Sequence, residues 1–115
     1  MSVLIVDDHP SFRATARMLL EAEGYRVVGE APDGTSAIAA ARELRPDVVL
    51  LDVNLPDIDG FEVAARLTNG NGPTIVLVSS RDGADFGPLV ARSGARGFIS
   101  KSDLSGAALA ALLDR

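Results

Sequence analysis

Val48-Val49-Leu50-Leu51-Asp52-Val53-Asn54-Leu55-Pro56-Asp57-Ile58-Asp59-Gly60 is the stretch on which the fold of this chain turns. Its first four residues are apolar without interruption, which reads as a strand buried on both faces, as in the middle of a parallel sheet. Asp52 ends the run. A carboxylate at the carboxyl end of such a strand stands where parallel α/β sheets place their ligand sites. Pro56 and Gly60 are backbone devices that shape the loop after it. Beyond Asp59-Gly60, Val63, Ala64 and Leu67 recur at helical spacing.

The same alternation extends in both directions. Val3-Leu4-Ile5-Val6 and Thr74-Ile75-Val76-Leu77-Val78 are further apolar runs, and Gly97-Phe98-Ile99-Ser100 is a shorter one. Arg26-Val27-Val28-Gly29-Glu30-Ala31 alternates more, as an edge strand does. Helices are predicted between them. The first starts at Pro10, with Phe12, Ala16, Leu19 and Leu20 at helical spacing. The second follows Asp33-Gly34, repeats Ala37, Ile38, Ala41 and Leu44, and stops at Pro46. The fourth is weak and short, starting near Gly87-Pro88, with residues 81–86 expected to form a long mobile loop before it. The fifth is expected to begin after Asp103 as N-cap, with Leu104, Ala108 and Leu112 on one face. The pattern is (βα)₅: a parallel sheet covered by helices on both faces, forming one domain over residues 1–115.

Composition narrows the function. At 115 residues, with 47% hydrophobic and 23% charged residues, the chain suits one globular domain. The absence of cysteine removes disulfides and thiolate metal sites. No apolar run approaches the ~20 residues that span a bilayer, and no basic segment precedes Val3, so a cytoplasmic protein without membrane contact is expected. A net charge of −5 with a single lysine argues against direct binding of nucleic acid.

The polar residues that close the strands are Asp7 and Asp8 after the first, Asp52 after the third, Ser79 after the fourth and Lys101 after the fifth. In a parallel sheet they converge on one cleft. Three crowded carboxylates must raise their pKa values or be neutralised by a cation. A hard divalent ion with oxygen ligands answers this, and Mg²⁺ is the one that pairs with phosphate. A lysine and a hydroxyl opposite it suit phosphoryl oxygens, so the set points to phosphoryl transfer.

Taken in order, Asp7-Asp8, Asp52 within the stretch ending at Gly60, Ser79 and Lys101 resemble the receiver domain of two-component response regulators, over essentially the whole chain. The resemblance implies the flavodoxin-like strand order 2-1-3-4-5 and a phosphorylation-dependent switch rather than an enzyme acting on an external substrate. It implies Asp52 as phosphoacceptor, Asp8 as a direct Mg²⁺ ligand, Asp7 binding through water and Asn54 supplying its backbone carbonyl. Lys101 would pair with the phosphoryl group, Ser79 would hydrogen-bond it, and Phe98 would be the aromatic switch residue. Asp7-Asp8-His9-Pro10 and Gly94-Ala95-Arg96-Gly97-Phe98 resemble receivers that precede LuxR-type DNA-binding domains. The partners implied are a histidine kinase or phosphotransfer protein, a downstream protein or output domain, and a second copy on phosphorylation.

Some positions depart from the usual pattern: Ser79 stands for a common threonine, Ser80 for a small alanine and Phe98 for a frequent tyrosine, and Arg81 adds a cation near the site mouth. Simpler roles exist for each residue alone. Asp7-Asp8 can cap the first helix, Ser79 can serve a local turn, Lys101 can be solvated, and Phe98 can be core. His9 reads as a loop residue at a helix start, and Arg42, Arg45, Arg66, Arg92 and Arg96 as solvated surface. Competing functions are a haloacid-dehalogenase-like phosphatase, disfavoured because its carboxylates are spaced Asp-x-Asp, and a receiver working without phosphate. A stand-alone receiver is expected in preference to one cut from a DNA-binding regulator.

Overall fold

In the computed structural model, which describes residues 1–70, 72–81 and 86–114, strands and helices alternate along the chain. They are β1 (Ser2–Val6), α1 (Pro10–Ala22), β2 (Arg26–Ala31), α2 (Gly34–Leu44), β3 (Val48–Asp52) and α3 (Gly60–Leu67). β4 (Thr74–Ser79), α4 (Pro88–Arg92), β5 (Gly97–Ser100), a 3₁₀ turn (Lys101–Asp103) and α5 (Gly106–Leu113) complete the order. All strand pairs are parallel and the sheet runs β2-β1-β3-β4-β5, so the implied order holds. β1 and β3 lie side by side near the middle of the sheet, with Val6 opposite Leu51.

The uninterrupted apolar runs become strands because each side chain finds a layer of helices. Leu4, Val6, Val49, Leu51, Ile75 and Leu77 join Ala37, Ile38, Val63 and Ala64 from α2 and α3 in one core. Their strand neighbours Val3, Ile5, Val48, Leu50, Val76 and Val78 join Ala16 and Leu20 of α1 and Leu109 of α5 in the other. Asp52 shares the parity of Val48 and Leu50. β2 is the edge strand its alternation predicts, and its register against β1 slips between Val3 and Leu4.

The helix starts largely follow local chemistry. Pro10 opens α1, the Asp33 and Asp59 carboxylates cap α2 and α3, and Pro88 opens a five-residue α4. Gly87 precedes it at φ 49°, a conformation that suits glycine. Of the loop expected over residues 81–86, positions 82–85 lie outside the described residues.

Three expectations are corrected. Leu19 faces solvent, 38% exposed, while Phe12, Ala16 and Leu20 face the core, and Leu44 at the end of α2 is 42% exposed while Ala37, Ile38 and Ala41 are buried. The N-cap of α5 is Ser105, whose Oγ accepts from the Ala108 N–H at 2.9 Å, and not Asp103. Asp103 closes the 3₁₀ turn, and Leu104 enters the core before the helix begins. Two good capping residues stand two positions apart, and the burial of Leu104 between them decides which one caps. Among the described residues, no helix is long and apolar enough to cross a membrane.

Candidate functional site

Parallel pairing brings the carboxyl ends of β1, β3, β4 and β5 to one edge. Asp7 follows β1, and its N–H donates to the Ala31 carbonyl at the end of β2 (3.0 Å). Asp52 is the last residue of β3, Ser79 the last of β4 and opposite Ser100 of β5, and Lys101 begins the 3₁₀ turn. Asp7 is fully buried and Asp52 only 2% exposed, an unusual position for two carboxylates.

Lys101 is the charge that holds them there. Its Nζ lies 2.6 Å from Asp7 Oδ2 and 3.4 Å from Asp52 Oδ2, and 4.5 Å above the ring of Phe12 in α1. Burial pushes the Asp52 carboxyl up to about 6 from its ordinary 3.8. The Asn54 N–H, which donates to Asp52 Oδ1 at 3.1 Å, works against that rise. The negative charge of Asp7 adds to it, and Lys101 opposes it.

The residues fit a divalent cation. Asp7 Oδ2 is buried with no aligned hydrogen-bond donor; the Lys101 ammonium is close to it as a charge only. Asp7, Asp8, His9 and Asp52 each offer a ligand atom, and these atoms lie within 4.8 Å of one another. The carboxylate set is hard and anionic, as Mg²⁺ requires, and Asp8, at the rim with its side chain 36% exposed, is open to a hydrated ion.

The other expected residues are placed as follows. Ser79 is fully buried, and its Oγ accepts from the Arg81 N–H at 3.1 Å, so the local role is present. Phe98 is partly buried beside Phe86 (centroids 5.6 Å apart), which in turn meets Phe61 of α3 edge-on at 5.5 Å. His9 is more than a loop residue. Its N–H donates to Asp7 Oδ1 at 2.8 Å, and its Nδ1 lies 3.0 Å from carboxylate oxygens of both Asp7 and Asp8.

Sequence reading missed three supporting residues. Phe12 was placed on the core face of α1, but its contact with the Lys101 ammonium joins chain ends that no local pattern connects. Arg13 donates to the Asp7 carbonyl at 2.6 Å and to Glu30 at 3.1 Å, bracing the end of β1 against β2. Asp57 has partners 22 and 23 positions away, out of reach of any spacing rule.

Gly60 shows why this loop needs its glycine. A β-carbon there would lie 2.4 Å from the Asp52 carbonyl oxygen and 2.7 Å from the Val53 Cα, both backbone atoms that cannot swing aside. The close approach also lets the Gly60 N–H donate to the Val53 carbonyl at 2.7 Å. Gly60→Ala is expected to destabilise the chain by about 2–3 kcal/mol, the cost of overpacking a rigid site. Urea unfolding would read this as a lower midpoint at unchanged slope, and an unchanged midpoint would contradict the contact.

Comparison with known proteins agrees with this geometry. The family model described as response regulator receiver domain matches residues 3–113. A transcriptional regulator of Pseudomonas aeruginosa is 48% identical over 102 residues, covering 88% of this chain and 49% of that protein. The signal receiver domain of a response regulator, NarL, from Mycobacterium tuberculosis superposes with a TM-score of 0.87 at 34% identity, covering 99% of this chain and 97% of that one. The BeF3-activated N-terminal receiver domain of Klebsiella pneumoniae RstA gives 0.86 at 30% identity, covering 98% and 96%. The chain spans about half the length of the curated relatives it matches. With strand order, acidic edge and lysine in agreement, the chain belongs to the response regulator receiver domain family.

Proposed function

We propose that this chain is a phosphorylation-dependent switch that accepts a phosphoryl group on Asp52 and thereby changes its protein partners. The observation that carries the reading is the meeting of Asp52 with Asp7 and Lys101 at the carboxyl edge of the sheet. Asp52, ionised, attacks the phosphorus of a phosphohistidine on a histidine kinase or phosphotransfer protein. The new P–O bond replaces the donor's P–N bond, whose electron pair stays on the imidazole nitrogen. Asp8, Asp52, the Asn54 carbonyl and, through water, Asp7 would hold Mg²⁺, which when bound offsets the negative charge of the acidic cluster and the incoming phosphoryl oxygens. Lys101 exchanges its carboxylate contacts for a phosphoryl oxygen, and Ser79 turns its hydroxyl to donate to another.

The switch follows from the added charge, close to two units at neutral pH with strong acceptor oxygens. Movement of Ser79 frees space for Phe98 to rotate inward and alters the face formed by α4, β5 and α5. That face serves the downstream protein, an output domain or a second copy. The matched relatives are about twice as long, and one is a transcriptional regulator, so DNA recognition is assigned outside this chain. A cytoplasmic setting follows from the kinase donor.

Incubation with Mg²⁺ and acetyl phosphate, followed by peptide mapping of the modified residue, tests the reading. An acyl phosphate on Asp52 is expected; label on another residue, or none, would overturn it. Amide exchange with and without beryllofluoride is expected to show its largest changes between Ser79 and Ile99. Changes confined to α1 or α2 would contradict this output face.

A further inference from the structure

Asp57 lies in the loop that leaves Asp52, yet its carboxylate is occupied on another helix. Asp57 Oδ1 accepts from the Gly34 N–H at 2.8 Å and from the Ile58 N–H at 2.8 Å. Asp57 Oδ2 accepts from the Thr35 N–H at 2.9 Å and the Thr35 hydroxyl at 2.7 Å. The hydroxyl and backbone donors of Thr35 and Gly34 hold the Asp57 carboxyl well below the usual carboxylate range. The remaining donors of the first turn of α2 are not left to it: Ser36 N–H donates to the Asp33 carboxylate at 2.8 Å and Ala37 N–H to the Asp33 carbonyl at 3.1 Å.

The opposing surface is shaped for this contact. A β-carbon on Gly34 would lie 2.9 Å from Val63 Cγ2, 3.1 Å from Ile58 Cβ and 3.2 Å from Asp57 Oδ1, so a side chain there would crowd the contact between loop and helix. The loop is then pinned at two points between β3 and α3. Gly60 N–H closes it on the Val53 carbonyl, and Asp57 ties it to α2. Asn54 lies inside the loop that the Gly60–Val53 bond closes, between Val53 and Asp57, with its N–H on Asp52 Oδ1. The end of β2, just before α2, also receives the Asp7 N–H at the Ala31 carbonyl. Asp57 therefore joins the loop after Asp52 to the β2–α2 segment, which in turn accepts the Asp7 N–H at Ala31.

We propose that Asp57 is a positioning residue for phosphoryl acceptance: clamped across Gly34 and Thr35, it fixes the backbone at Asn54 and with it the seating of the cation and the Asp52 carboxylate. The proposal rests on the reading of Asp52 as acceptor. Outer residues that orient metal ligands typically change metal affinity by 10- to 100-fold when removed, and Asp57 acts on Asn54 through the intervening Leu55 and Pro56, so the low end applies.

Asp57→Ala is expected to weaken Mg²⁺ binding, measured by calorimetry, by ~10-fold and to slow Asp52 labelling by acetyl phosphate at fixed subsaturating Mg²⁺ by a similar factor. Thr35→Ala, which removes one of the donors and leaves the carboxylate in place, is expected to move both in the same direction by less, and Thr35→Ser to restore them. Thr35→Ala and Thr35→Ser keep the test open if Asp57→Ala does not fold. A cap that served only α2 would lower the urea midpoint while leaving Mg²⁺ affinity and labelling rate at the parent values, and that result overturns the proposal. A parent chain that neither binds Mg²⁺ nor takes up label refutes the acceptor reading itself, which separates the two failures.

Discussion

Asp52→Asn is expected to take up no label from acetyl phosphate and, in metal-free buffer at pH 7.5, to be more stable than the parent chain. The first result follows from the proposed acceptor role, since the variant lacks the carboxylate oxygen that would attack. The second follows from burial, which pushes the Asp52 carboxyl up to about 6 against an ordinary 3.8. A carboxyl that binds its proton more tightly when folded contributes stability that is fully present below the unfolded value, and that contribution is lost as pH rises through about 6. At pH 7.5 the ionised side chain is therefore a burden on the fold. The full shift corresponds to at most about 3 kcal/mol. That shift is already net of the attraction to Lys101; asparagine leaves a less well matched amide in the buried site, so a net gain of about 1–2 kcal/mol is expected. The gain should shrink between pH 7.5 and pH 5, and Mg²⁺ should stabilise the parent more than the variant. A variant less stable than the parent at pH 7.5 would mean that Lys101 outweighs the burial of Asp52.

Lys101→Ala is expected to destabilise the chain by about 3 kcal/mol at pH 7.5, because it leaves buried carboxylates without their counter-charge. The loss has two physical parts. One is the ammonium beside Asp7 and Asp52, and the other is packing over the Phe12 ring. Lys101→Met keeps the apolar stem and removes the charge, so the difference between the variants measures the packing part. The electrostatic part should fade as Asp52 protonates below about 6, and Mg²⁺ should restore much of it by neutralising the same oxygens. Combining Lys101→Ala with Asp52→Asn should cost less than the sum of the separate effects, because the two sites share one interaction. Strict additivity, or an alanine variant as stable as the parent, would contradict the ion-pair account.

The sequence alone determined the layered sheet and the membership of its edge. Val3-Val6, Val48-Leu51 and Val76-Val78 are apolar without a break, and only a strand covered on both faces by helices buries such a run completely. Once those strands are parallel, the residue ending each one arrives at the same edge, so Asp7, Asp52, Ser79 and Lys101 were legible as a group from their positions alone. Helix starts at Asp33, Asp59 and Pro88 were legible because capping is satisfied within three or four residues.

Tertiary structure decided what depends on residues far apart in the chain. Ser105, not Asp103, caps α5 because Leu104 is drawn into the core between them. Leu19 has the spacing of a core residue but lies beyond the edge of the buried face of α1. Asp57 reads locally as a turn carboxylate, and its partners on α2 exist only after β2 and β3 have folded against opposite sides of β1. The raised pKa of Asp52 is likewise absent from its neighbours in sequence. It arises from removal of water and from the charge of Asp7, both consequences of packing two strand ends together. Backbone patterns and caps act over a few residues and can be read along the chain, whereas desolvation and charge coupling act through space and wait for the fold.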